Sequence, residues 1–119
     1  MKYLISENKL NNLIYDYIVD MFMNNEEGEL SHNYNYDDMG NETDDSIEFY
    51  FGDYGDGDYA FRWYSEKYFL LDRDNEECPI VEMNDELKNV LDATFSDKWE
   101  SQFKKWMRKE FNLYVKTIK

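Results

Sequence analysis

The chain has 119 residues, 18% aromatic and 34% charged, and a formal charge of −14 at pH 7 from 27 acids against 13 Lys and Arg. That balance speaks against direct binding to nucleic acid or to anionic membranes, because phosphate contacts need Lys and Arg to release counterions. A single cysteine, Cys78, excludes an internal disulfide, and the length suits one domain that buries a core without staples or metal.

The charge is segregated. From Leu10 to Phe61 there is no Lys or Arg, and the segment holds Asp16, Asp20, Glu26, Glu27, Glu29, Asp37, Asp38, Glu42, Asp44, Asp45, Glu48, Asp53, Asp56 and Asp58. The remaining thirteen acids equal the thirteen basic residues, so the whole net charge belongs to this one segment. A surface of that sign attracts basic partners and speeds encounter with them, most at low salt. It also keeps a chain soluble, which is the bland reading of the same residues.

Met1 to Ile5 reads as a short strand that turns polar at once rather than extending into the apolar run of a signal peptide. Cytoplasmic location is the expectation. Ser6 and Glu7 suit a helix N-terminus, with Ile5 and Leu10 at the positions of a hydrophobic staple. Leu10, Leu13, Ile14, Tyr17, Ile18, Met21 and Phe22 then recur at three- and four-residue spacing, which predicts an amphipathic helix ended by Asn24 and Asn25. Residues 26 to 46 lose periodicity and read as a long, partly mobile acidic loop, with a short strand at His32 to Tyr36 as the alternative. Ile47, Phe49 and Phe51 alternate with polar neighbours as a strand, Gly52 to Asp58 is a turn by its glycines and aspartates, and Tyr59, Phe61 and Trp63 form the return strand. A third strand is expected at Tyr68 to Leu71, completing an antiparallel meander.

Pro79 to Glu82 leads in extended form to an N-cap at Asn84 or Asp85. Leu87, Val90, Leu91 and Phe95 predict a second helix. A third, capped by Ser96 or Asp97, sets Trp99, Phe103, Trp106 and Phe111 on one side and Lys98, Lys104, Lys105, Arg108 and Lys109 on the other. Leu113, Val115 and Ile118 suggest a last strand. The expected fold is α+β: a small antiparallel sheet of three to five strands covered by the N-terminal helix and two C-terminal helices, in one domain over 1–119. The basic third helix is expected to lie beside the acidic loop.

Candidate chemistry is sparse. Counted from Asp53, the sixth and twelfth positions are Asp58 and Tyr64, not the Gly and Glu of an EF-hand loop, and the run from Asp72 fails likewise. His32 and Cys78 cannot complete a zinc site. No phosphate-binding or dinucleotide glycine signature is present, so no enzyme, metal or cofactor is expected. The acidic surface itself is left. Carboxylates at helical and strand spacing can imitate the phosphates of a duplex and occupy a basic groove, with tyrosines standing in for stacked bases.

The opening Met1-Lys2-Tyr3-Leu4-Ile5-Ser6-Glu7-Asn8-Lys9-Leu10-Asn11, with Phe111-Asn112-Leu113 near the end and heavy use of Asn, Lys, Tyr, Ile and Phe, resembles short uncharacterised proteins of tailed bacteriophages with AT-rich genomes. In being small and very acidic the chain is also similar to phage anti-restriction and anti-CRISPR proteins that imitate DNA, although it keeps thirteen basic residues and a basic third helix. The resemblance implies no catalytic residues. The expectation is a non-enzymatic inhibitor in the host cytoplasm that covers the basic surface of a nucleic-acid-binding protein or defence nuclease. Its expected contact residues are Asp37, Asp38, Glu42, Asp44, Asp45, Asp53, Asp56 and Asp58, with Tyr54 as an aromatic anchor. The alternatives are a structural or assembly protein, such as a virion component that forms a homo-oligomer, and a small calcium-binding module.

Overall fold

The computed structural model describes residues 7–24, 28–36, 39–52, 59–65 and 78–119, with the backbone alone at 35, 36, 42, 44 and 45. In chain order these give helix α1 (Glu7–Met23), strands β1 (Leu30–Tyr36), β2 (Glu42–Phe51), β3 (Tyr59–Tyr64) and β4 (Ile80–Met83), helices α2 (Asp85–Phe95) and α3 (Trp99–Phe111), and the short strand β5 (Thr117–Ile118). The sheet order follows the sequence, β1-β2-β3-β4-β5. The first three pairings are antiparallel and β4–β5 is parallel. The fold is α+β, as the alternation of helical and strand periods predicts.

Strand register decides which side chains share a face. Pairing of His32 with Phe49, Phe49 with Phe61 and Phe61 with Met83 places Ile47, Phe49, Phe61, Trp63, Val81 and Met83 on one side, because antiparallel partners point the same way. All six are buried. Helix α3 covers this face with Phe103, Trp106 and Phe111, whose rings lie 4.8 to 6.1 Å from Phe49 or Phe61. Helix α1 reaches the same core through Phe22, which sits among Phe51, Phe61, Phe103 and Trp106 at 5.1 to 6.2 Å.

Several expectations change. Within 26–46, read as a loop with a short strand at His32 to Tyr36 as the alternative, residues Leu30–Tyr36 are strand, in agreement with that alternative, and Glu42 onward belong to β2. The polar residues there hide the strand signal because β1 lies at the sheet edge, where a single neighbour is hydrogen-bonded and little is buried. The partner of β3 is Ile80–Met83, read as a lead-in to α2; the strand expected at Tyr68 to Leu71 lies outside the described residues, as do Met1 to Ser6. Ser96 does not cap α3. It takes a left-handed φ of 57° and closes α2 by donating its N–H to Asp92 O, while Lys98 precedes α3 with no side-chain cap. Leu113 to Val115 is not strand either. Only Thr117–Ile118 pairs, parallel to β4, while the Trp63 Nε1–H donates to Tyr114 O at 2.9 Å and ties the preceding segment across the sheet end.

One close approach fixes the entry to β1. Gly28 has φ +131° and an added Cβ there would stand 2.7 Å from Gly52 Cα, while the Gly52 N–H donates to Glu29 O at 3.0 Å. Two glycines therefore pin the start of β1 against the end of β2, because no side chain fits between the backbones.

Candidate protein-binding surface

The acidic segment begins on α1. Ile14, Ile18 and Phe22 face the core, and the helical period then turns Asp16 and Asp20 to the outer crest, where both are exposed. Asp20 Oδ1 accepts from Asn24 Nδ2 at 3.2 Å as the helix ends. The burial is rotated relative to the expected stripe: Leu13 is 59% exposed and Tyr17 37%, while Tyr15 and Val19 are half-buried. The cause is α3, which packs on the Tyr15 side, whereas on the other side Tyr17 meets only Phe95 at the end of α2, edge-on at 5.1 Å.

Strand β1 carries no charge, being Leu-Ser-His-Asn-Tyr-Asn-Tyr. On its core-side face His32 and Tyr34 are exposed and meet edge-on at 5.3 Å. The acids resume at its far end. The pairing of Tyr36 with Glu42 closes the turn that contains Met39 and Gly40, and Tyr34 pairs with Ile47 while Asn35 pairs with Thr43. Asp44, Asp45 and Ser46 are therefore extra residues on β2, a bulge that locally breaks the ladder. The backbone thus gathers Glu42, Asp44 and Asp45 at the β1–β2 turn. Asp37 and Asp38 lie outside the described residues, within the same turn by sequence.

Asp53, Tyr54, Asp56 and Asp58 also lie outside the described residues. Their connection leaves β2 after Gly52 and rejoins the sheet at Tyr59, so it is anchored at the opposite end of β2 from the bulge. Glu42 and Phe51 pair with Tyr36 and Leu30, six residues apart on β1, so at about 3.3 Å per residue the two ends of β2 are separated by roughly 20 Å. By sequence, the expected contact residues therefore belong to the connections at the two ends of one strand.

Between those ends the sheet partly neutralises its own charge. On the face away from the helices, Glu48 pairs with Arg62 and Arg62 with Glu82 across three strands. Arg62 Nε donates to Glu48 Oε2 at 2.9 Å, its guanidinium lies 4.2 Å from the Tyr59 ring centre, and Tyr64 Oη donates to Glu82 Oε2 at 3.4 Å. Burial pulls the Arg62 pKa down, but the hydrogen bond and charge of Glu48 outweigh it and the net direction is up. Tyr59 is therefore committed under Arg62, whereas Tyr34 is exposed.

The basic face of α3 has a different neighbour from the one expected. It lies beside α1, with Lys105 Nζ and Lys109 Nζ 5.6 and 5.7 Å from the Tyr15 ring centre. Sequence periodicity places these lysines on one helix face but carries no signal for which element that face meets. Among the described residues no group of three or more His, Cys, Asp or Glu is placed to hold a metal, and no helix is long and apolar enough to cross a membrane. The glycine- and aspartate-rich segment considered for calcium falls outside those residues. No protein-family model, curated protein or solved structure matches this chain.

Proposed function

We propose that this is a non-enzymatic, acidic binding protein that occupies the basic, nucleic-acid-handling surface of a partner, in the manner of a DNA mimic that inhibits a defence nuclease. The observation that carries the reading is the absence of any Lys or Arg from Leu10 to Phe61, combined with the commitment of Arg62, the first basic residue after it, to Glu48. Nothing basic from that segment is available to blunt the acids at either end of β2. A separation of roughly 20 Å corresponds to about six base pairs of duplex at 3.4 Å per phosphate on one strand, which supports a partner groove that follows DNA. Tyr34 and His32 lie on the uncharged strand that enters the bulged turn and supply aromatic contact area there.

The test is capture of partners by the tagged protein, with elution by duplex DNA. Proteins that bind this chain through a nucleic-acid site are displaced by duplex and by salt. A variant with Asp53, Asp56 and Asp58 changed to Asn, and a second with Glu42→Gln, Asp44→Asn and Asp45→Asn, each retain less partner and show a flatter salt dependence. Unchanged affinity in both variants, or partners indifferent to duplex DNA, removes the proposal.

A further inference from the structure

The crests of α1 and α3 are neighbouring stripes of opposite sign. Asp16 and Asp20 line the outside of α1 one turn apart, and Lys105, Arg108 and Lys109 line the outside of α3; all five are exposed. Tyr15 lies between them under Lys105 and Lys109. Among the described residues the stripes do not neutralise each other: none of the three basic side chains has an ion-pair partner there, and Asp20 bonds to Asn24. Helix axes pack 8–10 Å apart, so charges on two outward crests are held beyond contact distance.

We infer that a second copy of this chain docks on the α1–α3 face about a two-fold axis running along the groove between the two helices. A partner of uniform charge satisfies one stripe and is repelled by the other. A copy rotated about that groove brings its basic stripe over Asp16 and Asp20 and its acidic stripe over Lys105, Arg108 and Lys109, so each contact is made twice, as an isologous interface requires. The helical layer also carries little of the net charge. Helix α1 has Glu7, Asp16 and Asp20 against Lys9, α2 has Asp85, Glu86 and Asp92 against Lys88, and α3 has Lys104, Lys105, Arg108 and Lys109 against Glu100 and Glu110. The three helices therefore carry two of the fourteen net negative charges, and the acids at the ends of β2 stay outside the contact. Helices of 17 and 13 residues present about 25 and 20 Å of length at 1.5 Å per residue, a face on the small side of standard interfaces, which makes the dimer concentration-dependent. This inference is independent of the proposed function, since it uses none of the acids assigned there.

The experiment is sedimentation of the full chain over a range of concentrations, with two charge-reversed variants. Wild type shifts from the mass of one chain to that of two as concentration rises. Asp16→Lys with Asp20→Lys leaves both stripes basic, and Lys105→Glu, Arg108→Glu and Lys109→Glu leaves both acidic, so each variant alone stays at one chain. Mixed in equal amounts they form a heterodimer of two chains, because the basic face of one now meets the acidic face of the other. A wild type that stays at one chain at every concentration, a variant that still self-associates, a mixture that stays at one chain, or growth beyond two chains overturns the inference. The Asp53, Asp56 and Asp58 variant dimerises like wild type, which separates this result from any outcome of partner capture.

Discussion

Replacing Phe22 with Ala tests whether α1 is held to the sheet by the aromatic cluster. Phe22 is fully buried and its ring lies 5.1 Å from Trp106, 5.4 Å from Phe61, 5.7 Å from Phe103 and 6.2 Å from Phe51. It is the residue of α1 that touches both α3 and two strands. Truncation of a buried Phe costs about 3–5 kcal/mol from lost transfer energy and the cavity left behind. The upper half of that range applies because four rings cannot all collapse into the space, and each lost aromatic pairing adds to the loss of buried area. Unfolding entropy near 2.1 cal/mol/K per residue gives roughly 0.25 kcal/mol/K for 119 residues, so Tm falls by about 16–20 °C. Urea titration with unchanged slope gives the free energy and a thermal scan gives Tm. Phe22→Leu keeps most of the volume and costs less, and Leu13→Ala, at a 59% exposed position of the same helix, changes stability by no more than about 0.5 kcal/mol. A loss below about 1 kcal/mol for Phe22→Ala, or an equal loss for Leu13→Ala, refutes the packing described here.

Gly28→Ala forces a Cβ to within 2.7 Å of Gly52 Cα at a φ of +131°, and because the obstacle is backbone it destabilises by about 2 kcal/mol or more, read by urea titration. Asn84→Ala removes the cap on Glu86 N–H and the bond from Asn84 Nδ2 to Tyr59 O, a loss of about 1–2 kcal/mol that Asn84→Asp recovers only in part, since a carboxylate caps but cannot donate. Deleting Thr117, Ile118 and Lys119 removes the bonds from Met83 N–H to Lys119 O and from Lys119 N–H to Val81 O, which at roughly 1 kcal/mol each costs about 2 kcal/mol and raises amide exchange along β4. Glu48→Gln weakens the partly exposed pair with Arg62 by no more than about 1 kcal/mol. The raised Arg62 pKa works in one direction: its stabilisation is complete below the unfolded-state value and is lost as pH rises through the folded one, so it contributes no pH dependence between neutrality and mild alkali.

The helices were legible in the sequence because their signals are local. Asn84 caps α2, and Asn112 closes α3 in the left-handed region with its N–H donating to Arg108 O and Met107 O, both readable from residue type and position. Core composition was legible too: Phe22, Phe49, Phe61, Phe103 and Trp106 are the apolar residues of their periodic segments, and all are buried. What was hidden depends on non-local pairing. Residues 30–36 read as a polar loop or, from the alternation of Asn33 to Tyr36, as a short strand, because an edge strand needs no continuous apolar face, and Ile80–Met83 is too short to announce itself beside a proline. The parallel addition of β5 to β4 depends on where α2 and α3 return the chain, which no window of sequence contains. Among the candidate site residues, the acids were countable but their distribution was not. That distribution follows from β2 being one ten-residue strand with an acidic bulge at its start and an acidic connection at its end.

Charge segregation and fold topology together determine what the acidic surface can recognise. The Debye length is about 8 Å at physiological ionic strength, under the roughly 20 Å between the ends of β2, so each acidic group acts mainly on the part of a partner it touches. A compact basic pocket can engage one end only. A continuous basic groove engages both, and through a rigid strand the second contact follows the first without a new loss of translational freedom, as with linked binding sites. Under the proposed function, preference for an extended, regularly basic surface over a local one rests on β2 holding its acids apart, not on the number of carboxylates. Midway along the strand Glu48 pairs with Arg62. A further unpaired acid there would add charge where the neighbouring strands already hold Glu82 opposite Arg62, and like charges across a sheet destabilise it.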